Sequence, residues 1–293
     1  MGRIVRALTG DASAVVCVID STDMVAEIAR IHNTTPTVTA ALGRLATAGS
    51  MMGYGLKNEG DEITLRMNGG GPAGNLIVVT NYEGDVKAYV ANPDADAPVK
   101  ANGKLNVSGV VGNAGGLIVI KDLGLKEPYV GQVPIVSGEI AEDITNYYAT
   151  SEQTPNVCGL GVLVNPDGSV KAAGGYLIQL LPFAEDAVID QIEKNYLECG
   201  NVTQMLESGM SLEDMALKLL GGLEPNLLDE GEPMYACDCS RERIARALLS
   251  MGEKELCELR DEQEITEVCC HFCDKKYRFT RSDITNLIKE AKE

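Results

Sequence analysis

The sequence predicts an α+β protein in three parts: a large mixed α/β core domain over residues 1–181, a helical linker over 182–230, and a small cysteine-rich domain over 231–293. Three observations carry this reading. Strand-like apolar runs in the first part are joined by hairpin-type turns. Short amphipathic patterns with charged faces follow Pro182. Near the C-terminus, "YACDCS" (Tyr235–Ser240) and "VCCHFCDKKYRF" (Val268–Phe279) hold Cys237, Cys239, Cys269, Cys270 and Cys273 out of 9 cysteines in the chain.

The bulk composition narrows the classes. At 293 residues there is room for one large domain and a smaller one. With 45% hydrophobic and 23% charged residues, no Trp and only 3 Phe, the chain is an ordinary globular sequence with an aliphatic core. A formal charge of −18 argues against a nucleic-acid partner, because phosphate binding leans on a basic footprint. The start, "MGRIVRALTG", lacks the apolar run and cleavage site of a secretory signal. The run from Thr37 to Leu56 is interrupted by Arg44 and several Thr and Gly, which suits it poorly to a bilayer. The expectation is a cytoplasmic protein without a membrane partner. Thiols are kept reduced in that compartment, which counts against a structural disulfide framework.

In chain order, "STDMVAEIARIH" predicts a helix capped by Ser21 or Thr22, with Val25, Ile28 and Ile31 on one face. "TPTVTAALGRLATAGSMMGYGLK" predicts a second, with Thr35 as cap and Pro36 at the first helical position; its Ala and Gly content permits close packing on a sheet. "SGEIAEDITNYYATSEQ" predicts a third, capped by Ser137 with Ile140, Ile144 and Tyr147 inward. The runs "EITLRM", "NLIVVTNYEGDVKAYVANP", "GGLIVIKD" and "CGLGVLVNPDGSVKAAGGYLIQLL" read as strands, with turns at Glu83-Gly84-Asp85 and Pro166-Asp167-Gly168. Hairpins of this kind build an antiparallel or mixed sheet. The triple glycine Gly69-Gly70-Gly71 lies between strand-like runs, precedes Pro72 and lacks a Walker lysine, so it reads as a loop or bulge and not as a phosphate cradle.

"PFAEDAVIDQIEKNYLECG" places Val188, Ile192 and Tyr196 at helical spacing with Gly200 as a stop, and "SLEDMALKLLGGLE" starts at Ser211 with Asp214 three residues on. Helices this short depend on what they pack against. In the tail, "SRERIARALLSMG" and "SDITNLIKEAKE" read as helices, the second capped by Ser282 with Leu287, Ile288 and Ala291 on one face. "EITEVCCHFCDKKYRF" reads as two strands around a tight turn.

The cysteine spacing carries the chemistry. Cys270-x-x-Cys273 on a turn between strands is a zinc knuckle, and Cys237-x-Cys239 supplies a second pair to complete a tetrahedron. Cys269 and His271 are competing ligands, but the two-residue spacing favours Cys270 with Cys273. Four closed ligands leave no open position for catalysis. Arg241, Arg243, Lys275 and Lys276 are placed to offset the charge of about −2 on such a centre. Cys17, Cys158, Cys199 and Cys257 are scattered and read as structural. A tail of about 60 residues rarely draws more than ~3–5 kcal/mol from its own core. Zinc on thiolates contributes on the order of 10–16 kcal/mol in small modules, so the metal decides whether the tail folds. The chemistry leaves two outcomes open: an inert clip, or a switch in which oxidation of the thiolates expels the metal. An enzyme is not expected. Ser151 and Glu152 in "YYATSEQTP" sit at a helix end, with only His32 and His271 in the whole chain.

Cys237-Asp-Cys239-Ser-Arg-Glu-Arg and Cys270-His-Phe-Cys273 with Tyr277 beyond resemble the redox-regulated heat-shock chaperones of the 33-kilodalton chaperonin family. So do "TPTVTAALGRLATA", "KDLGLKEPYVGQVPIVSGEIAEDITNYYATSEQTP" and "AAGGYLIQLLP", in the same order along essentially the whole chain. Cys269 is an addition to the family motif. The resemblance implies an ATP-independent holdase, inactive while reduced and holding one Zn2+ per chain. Oxidation would then form disulfides Cys237–Cys239 and Cys270–Cys273, release zinc and unfold the tail. The adjacent linker loses its packing partner, and the exposed surface binds unfolded or partly unfolded client proteins, usually as a homodimer. The rival reading is a zinc-ribbon interaction module with a permanent, structural zinc.

Overall fold

The computed structural model describes residues 2–182 and 184–290. The described strands are β1 (Arg3–Leu8), β2 (Ala14–Asp20), β3 (Glu62–Gly70), β4 (Leu76–Asn81), β5 (Val86–Val90), β6 (Gly112–Asp122), β7 (Tyr129–Pro134), β8 (Asn156–Val164), β9 (Val170–Leu180), β10 (Asn226–Gly231), β11 (Ile265–Cys269) and β12 (Lys276–Thr280). The helices are α1 (Thr22–His32), α2 (Pro36–Gly53), α3 (Val107–Val111), α4 (Ala141–Thr150), α5 (Asp186–Cys199), α6 (Val202–Glu207), α7 (Leu212–Leu219), α8 (Arg241–Leu249), α9 (Glu253–Glu262) and α10 (Arg281–Glu290). The fold is α+β, as the sequence predicts, and the chain divides into two compact units, Met1–Ala236 and Cys237–Glu293. Among the described residues no helix is long and apolar enough to cross a membrane.

The first unit holds two five-stranded sheets, ordered β10-β1-β2-β9-β8 and β5-β4-β3-β6-β7, with every strand pair antiparallel. The helix α2 packs against strands of both. All its residues except Pro36 and Arg44 are buried, so it is a core helix and not an amphipathic one. Its small residues set the approach distance. A Cβ at Gly53 would lie 2.2 Å from Thr80 Oγ1, and one at Gly43 would lie 2.6 Å from Val25 Cγ1. The predicted cap holds: Thr35 Oγ1 accepts from Val38 N, ahead of Pro36. The glycine run is a bulge. The β3–β6 register slips twice at Gly69 and Gly70 opposite Gly112, where a Cβ on Gly69 would sit 2.1 Å from the Gly112 oxygen.

Strand alternation splits the interior of this unit into two cores. Ile4, Cys17 and Ile19 point to the core shared with α1–α4 and the second sheet. Val5, Val16 and Val18 point the other way, to a core closed by Val188, Ile192, Val202, Met205, Met215 and Leu219 from α5–α7. The short helices after Pro182 therefore find a sheet face to pack on. Ser211 caps α7 by accepting from Asp214 N at 3.1 Å.

Several local expectations are corrected. Ser21 precedes α1 but makes no cap bond; its buried hydroxyl pairs with Thr47 Oγ1 at 2.7 Å, and Ile31 is only half-buried. Ser137 does not start α4. The buried Asp143 does, accepting from the backbone N–H groups of Val136, Ser137 and Ile140 at 2.7, 3.0 and 2.9 Å. Tyr196 is 43% exposed; Asn195 takes the buried position and donates to the Leu219 and Gly221 carbonyls. Residues 226–230, read as the end of a helical segment, belong to β10, on the edge beside β1. Met234 and Ala236 bond to Val86 of β5.

The second unit is a hairpin, β11–β12, with α8, α9 and α10 around a small core of Leu248, Leu256, Cys270, Tyr277, Phe279, Ile284, Leu287 and Ile288. Ala291 lies outside the described residues. The cap of α10 is Thr280 and not Ser282: Thr280 Oγ1 accepts from Asp283 N at 3.2 Å, while Asp283 Oδ2 accepts from Thr280 N at 2.8 Å.

Candidate metal centre

Two local structures converge on one point in the second unit. The chain leaves β11 at Cys269 and turns back into β12 through a knuckle, where Cys270 N donates to Lys275 O and Asp274 N donates to Cys270 O, each at 2.9 Å. Asp274 takes a left-handed φ of 58° to close the turn. From the other side, Cys239 immediately precedes Ser240, whose hydroxyl caps α8 by accepting from Arg243 N at 3.2 Å. The cap fixes the direction in which the Cys237–Cys239 segment enters.

The four sulfurs of Cys237, Cys239, Cys270 and Cys273 all lie within 4.8 Å of one another. Cys239 Sγ is 3.4 Å from Cys273 Sγ, and Cys237 Sγ is 3.7 Å from Cys270 Sγ. A tetrahedral ion with metal–sulfur bonds of ~2.3 Å has sulfur–sulfur edges of about 3.8 Å, whereas a disulfide needs ~2.05 Å. The residues present therefore fit a metal-binding tetrathiolate, and all four thiols are free. Cys270 is buried and the other three are half-buried.

Burial pushes the Cys237 thiol up and Cys273 up to about 11, because low-dielectric surroundings penalise a thiolate. Burial works the same way on Cys239, but hydrogen bonds from the Tyr277 hydroxyl and the neighbouring thiols bring it below the ordinary thiol value. Cys237, Cys239, Cys270 and Cys273 would hold a cation here, and it would compensate the charge of four adjacent thiolates.

The rivals for these positions lie outside the quartet. Cys269 is exposed, with its Sγ 4.0 Å from Cys270 O and 4.0 Å from Asp274 Oδ1. His271 is exposed on the turn. The four cations have other engagements. Arg241 lies over the Phe279 ring at 4.3 Å and pairs with Asp283, and Arg243 pairs with Asp238. Lys276 pairs with Glu267, and Lys275 sits over the Tyr277 ring at 5.5 Å. Tyr277, named in the sequence only as part of the motif, has a role at the site: its Oη shares its one hydrogen between Cys239 O at 2.9 Å and Cys239 Sγ at 3.1 Å. Strand alternation gives the signal. On β12, Tyr277 and Phe279 are buried while Lys276 and Arg278 are exposed.

The remaining thiols sit apart. Cys17 and Cys158 are buried in the first unit, and burial pushes each up to about 12. Cys199 is buried at the end of α5, and Cys257 is half-buried on α9. Ser151 ends α4 with its hydroxyl 3.0 Å from Tyr129 Oη, and Glu152 pairs with Lys121 at 2.7 Å and accepts from the Tyr147 hydroxyl. His32 Nε2 meets the Ala88 carbonyl at 2.8 Å, far along the chain from that pair.

Comparison with known proteins identifies the family. The sequence model described as Hsp33 protein matches residues 2–280. The chain is 48% identical over 288 residues to a 33 kDa chaperonin of Clostridium acetobutylicum, covering 98% of this chain and 97% of that one. It is 47% identical over 292 residues to a 33 kDa chaperonin of Clostridium perfringens, covering 99% and 92%. Among solved structures, the 33 kDa chaperonin of Thermotoga maritima superposes with a TM-score of 0.89 at 34% identity, covering 98% of both chains. A match that runs through the core, the helical segment and the cysteine cluster alike leaves one assignment: this chain belongs to the Hsp33 family.

Proposed function

We propose that this protein is a redox-regulated, ATP-independent holdase of the cytoplasm. The observation that carries the reading is the group of four free thiols within 4.8 Å of one another, inside a unit whose own core is small. In the resting form Cys237, Cys239, Cys270 and Cys273 hold one Zn2+ as thiolates. A peroxide oxidises one thiolate sulfur to a sulfenic acid, delivering an oxygen atom and leaving water after protonation. A neighbouring thiolate then attacks that sulfur, forming the S–S bond and releasing hydroxide. The family resemblance supplies the pairing, Cys237 with Cys239 and Cys270 with Cys273.

Disulfides are not thiolate ligands, so the metal is lost and the unit loses the larger part of its folding free energy. Its apolar residues, among them Phe279, Ile284, Leu287 and Ile288, then become available to unfolded or partly unfolded clients. The active form is a homodimer. In this scheme the chain works as a core (1–181), a linker (182–230) and a switch domain (231–293).

The test is to treat zinc-loaded protein with peroxide under mild heat while following zinc, free thiols and aggregation of a thermally unfolding client. The expected result is release of about one zinc per chain together with the onset of aggregation suppression. Retention of the metal favours a zinc-ribbon module with a permanent clip, and loss of the metal without that activity overturns the switch.

A further inference from the structure

We infer that Tyr277 is a positioning residue for the thiol site: its hydroxyl makes Cys239 chemically unlike the other three sulfurs and slows its reaction with electrophiles. The inference rests on the reading of the four cysteines as a thiolate metal centre. Tyr277 is buried on β12, opposite Val268 of β11, and its single O–H is shared between the sulfur and the carbonyl oxygen of Cys239 in a bifurcated bond. The contact does two things at once. The bond to the carbonyl ties the Cys237–Cys239 segment, which comes from a distant part of the chain, to the hairpin that carries Cys270 and Cys273. The bond to the sulfur draws electron density from the lone pairs that a thiolate uses as nucleophile.

No other side-chain hydroxyl donates to a sulfur of this group among the described hydrogen bonds. Cys237 and Cys273 draw instead on backbone N–H groups, those of Cys239 and Lys275, so what sets Cys239 apart is the side-chain hydroxyl, and that hydroxyl biases which thiol reacts first. Outer-shell partners of metal ligands commonly alter metal affinity by about 10–100-fold, and a hydrogen bond to a charged group is large enough to change a rate by about tenfold.

The test compares zinc-loaded wild-type protein with Tyr277→Phe, which keeps the buried ring and removes only the hydroxyl. Each cysteine's rate of alkylation by iodoacetamide is followed by mass spectrometry. In that reaction the thiolate forms a carbon–sulfur bond and iodide leaves, so no oxidant is needed. Cys239 is expected to react about tenfold faster in the Phe variant, with the other three changing by less than about twofold. Zinc transfer to a chromogenic chelator is expected to quicken by about tenfold. Replacing Tyr277 with 3-fluorotyrosine, whose more acidic phenol is a stronger donor, is expected to slow Cys239 below wild type.

An unchanged Cys239, or all four cysteines rising together, overturns the inference, as does 3-fluorotyrosine failing to act opposite to Phe. Failure of the functional reading looks different: wild-type protein would not gain client binding on peroxide treatment, whatever the ranking of its thiols.

Discussion

The two units of this chain are built on different scales. Met1–Ala236 has two five-stranded sheets, a core helix with 16 buried positions, and two separate apolar cores. Among its described residues, Cys237–Glu293 has one two-stranded hairpin, three short helices and eight buried residues in its core, one of which is Cys270. The first unit draws its stability from buried apolar area, which scales with size. The second has only a small apolar core and gathers four cysteine sulfurs at one point, where the proposed function places most of its cohesion. A fold held by distributed contacts fails gradually under substitution. One held by a single centre fails when that centre does, which is what a switch requires.

The sharpest way to break the comparison is a ligand substitution. Cys270→Ser should abolish zinc binding and unfold the second unit, a loss on the order of 10 kcal/mol of binding free energy. Limited proteolysis should then cut within 237–290 and spare the first unit. A product that resists cleavage like wild type would place the cohesion of the second unit in its apolar core.

A step down in size, the first unit should tolerate any single loss better. Asp143 is a concentrated polar point in it, accepting three backbone N–H groups while fully buried. Asp143→Ala should cost about 3 kcal/mol and lower the melting temperature without unfolding the unit at 25 °C, read by calorimetry.

The acid response of the first unit should show Glu139. Burial works against its charge. Lys100, Ser108 and Arg44 outweigh that by hydrogen bonding to it, holding its carboxyl down at about 2. Because the folded value lies below the unfolded one, this contribution is present above an unfolded value of about 4.3 and is lost as pH falls toward 2. Denaturant titrations between those limits should show the fall, and Glu139→Gln should flatten it. A wild-type slope unchanged by the substitution would assign the acid response elsewhere.

The smallest effect should come from Cys269→Ser. Its sulfur is exposed and outside the quartet, so metal stoichiometry by elemental analysis should stay at one per chain, with stability within about 0.5 kcal/mol of wild type. A drop in zinc content would make it a fifth ligand.

Legibility followed the same division. The cysteine quartet could be read in the sequence because ligand spacing is local: Cys270 and Cys273 belong to one turn, and Cys237 and Cys239 to one segment. Thr35-Pro36 and the two hairpin turns were legible for the same reason. What escaped was set by tertiary partners. The strands β1, β2 and β7 carry too little turn punctuation to stand out, and β10 lies at the end of a helical run and exists by pairing with β1. Ser137 looks like a cap until Asp143, from inside the helix, takes the backbone donors. Ser282 loses the same contest to Thr280, which doubles as the last residue of a strand. Tyr196 has the right period but Asn195 the right neighbours, since the carbonyls of Leu219 and Gly221 are invisible from α5 alone.

The most direct measurement is hydrogen exchange by mass spectrometry on wild-type protein before and after zinc is removed by a chelator under reducing conditions. Amides of β11, β12 and α10 are expected to lose protection on metal removal, while those of β3, β6 and β9 keep theirs. Equal protection of the C-terminal unit with and without metal would contradict this expectation.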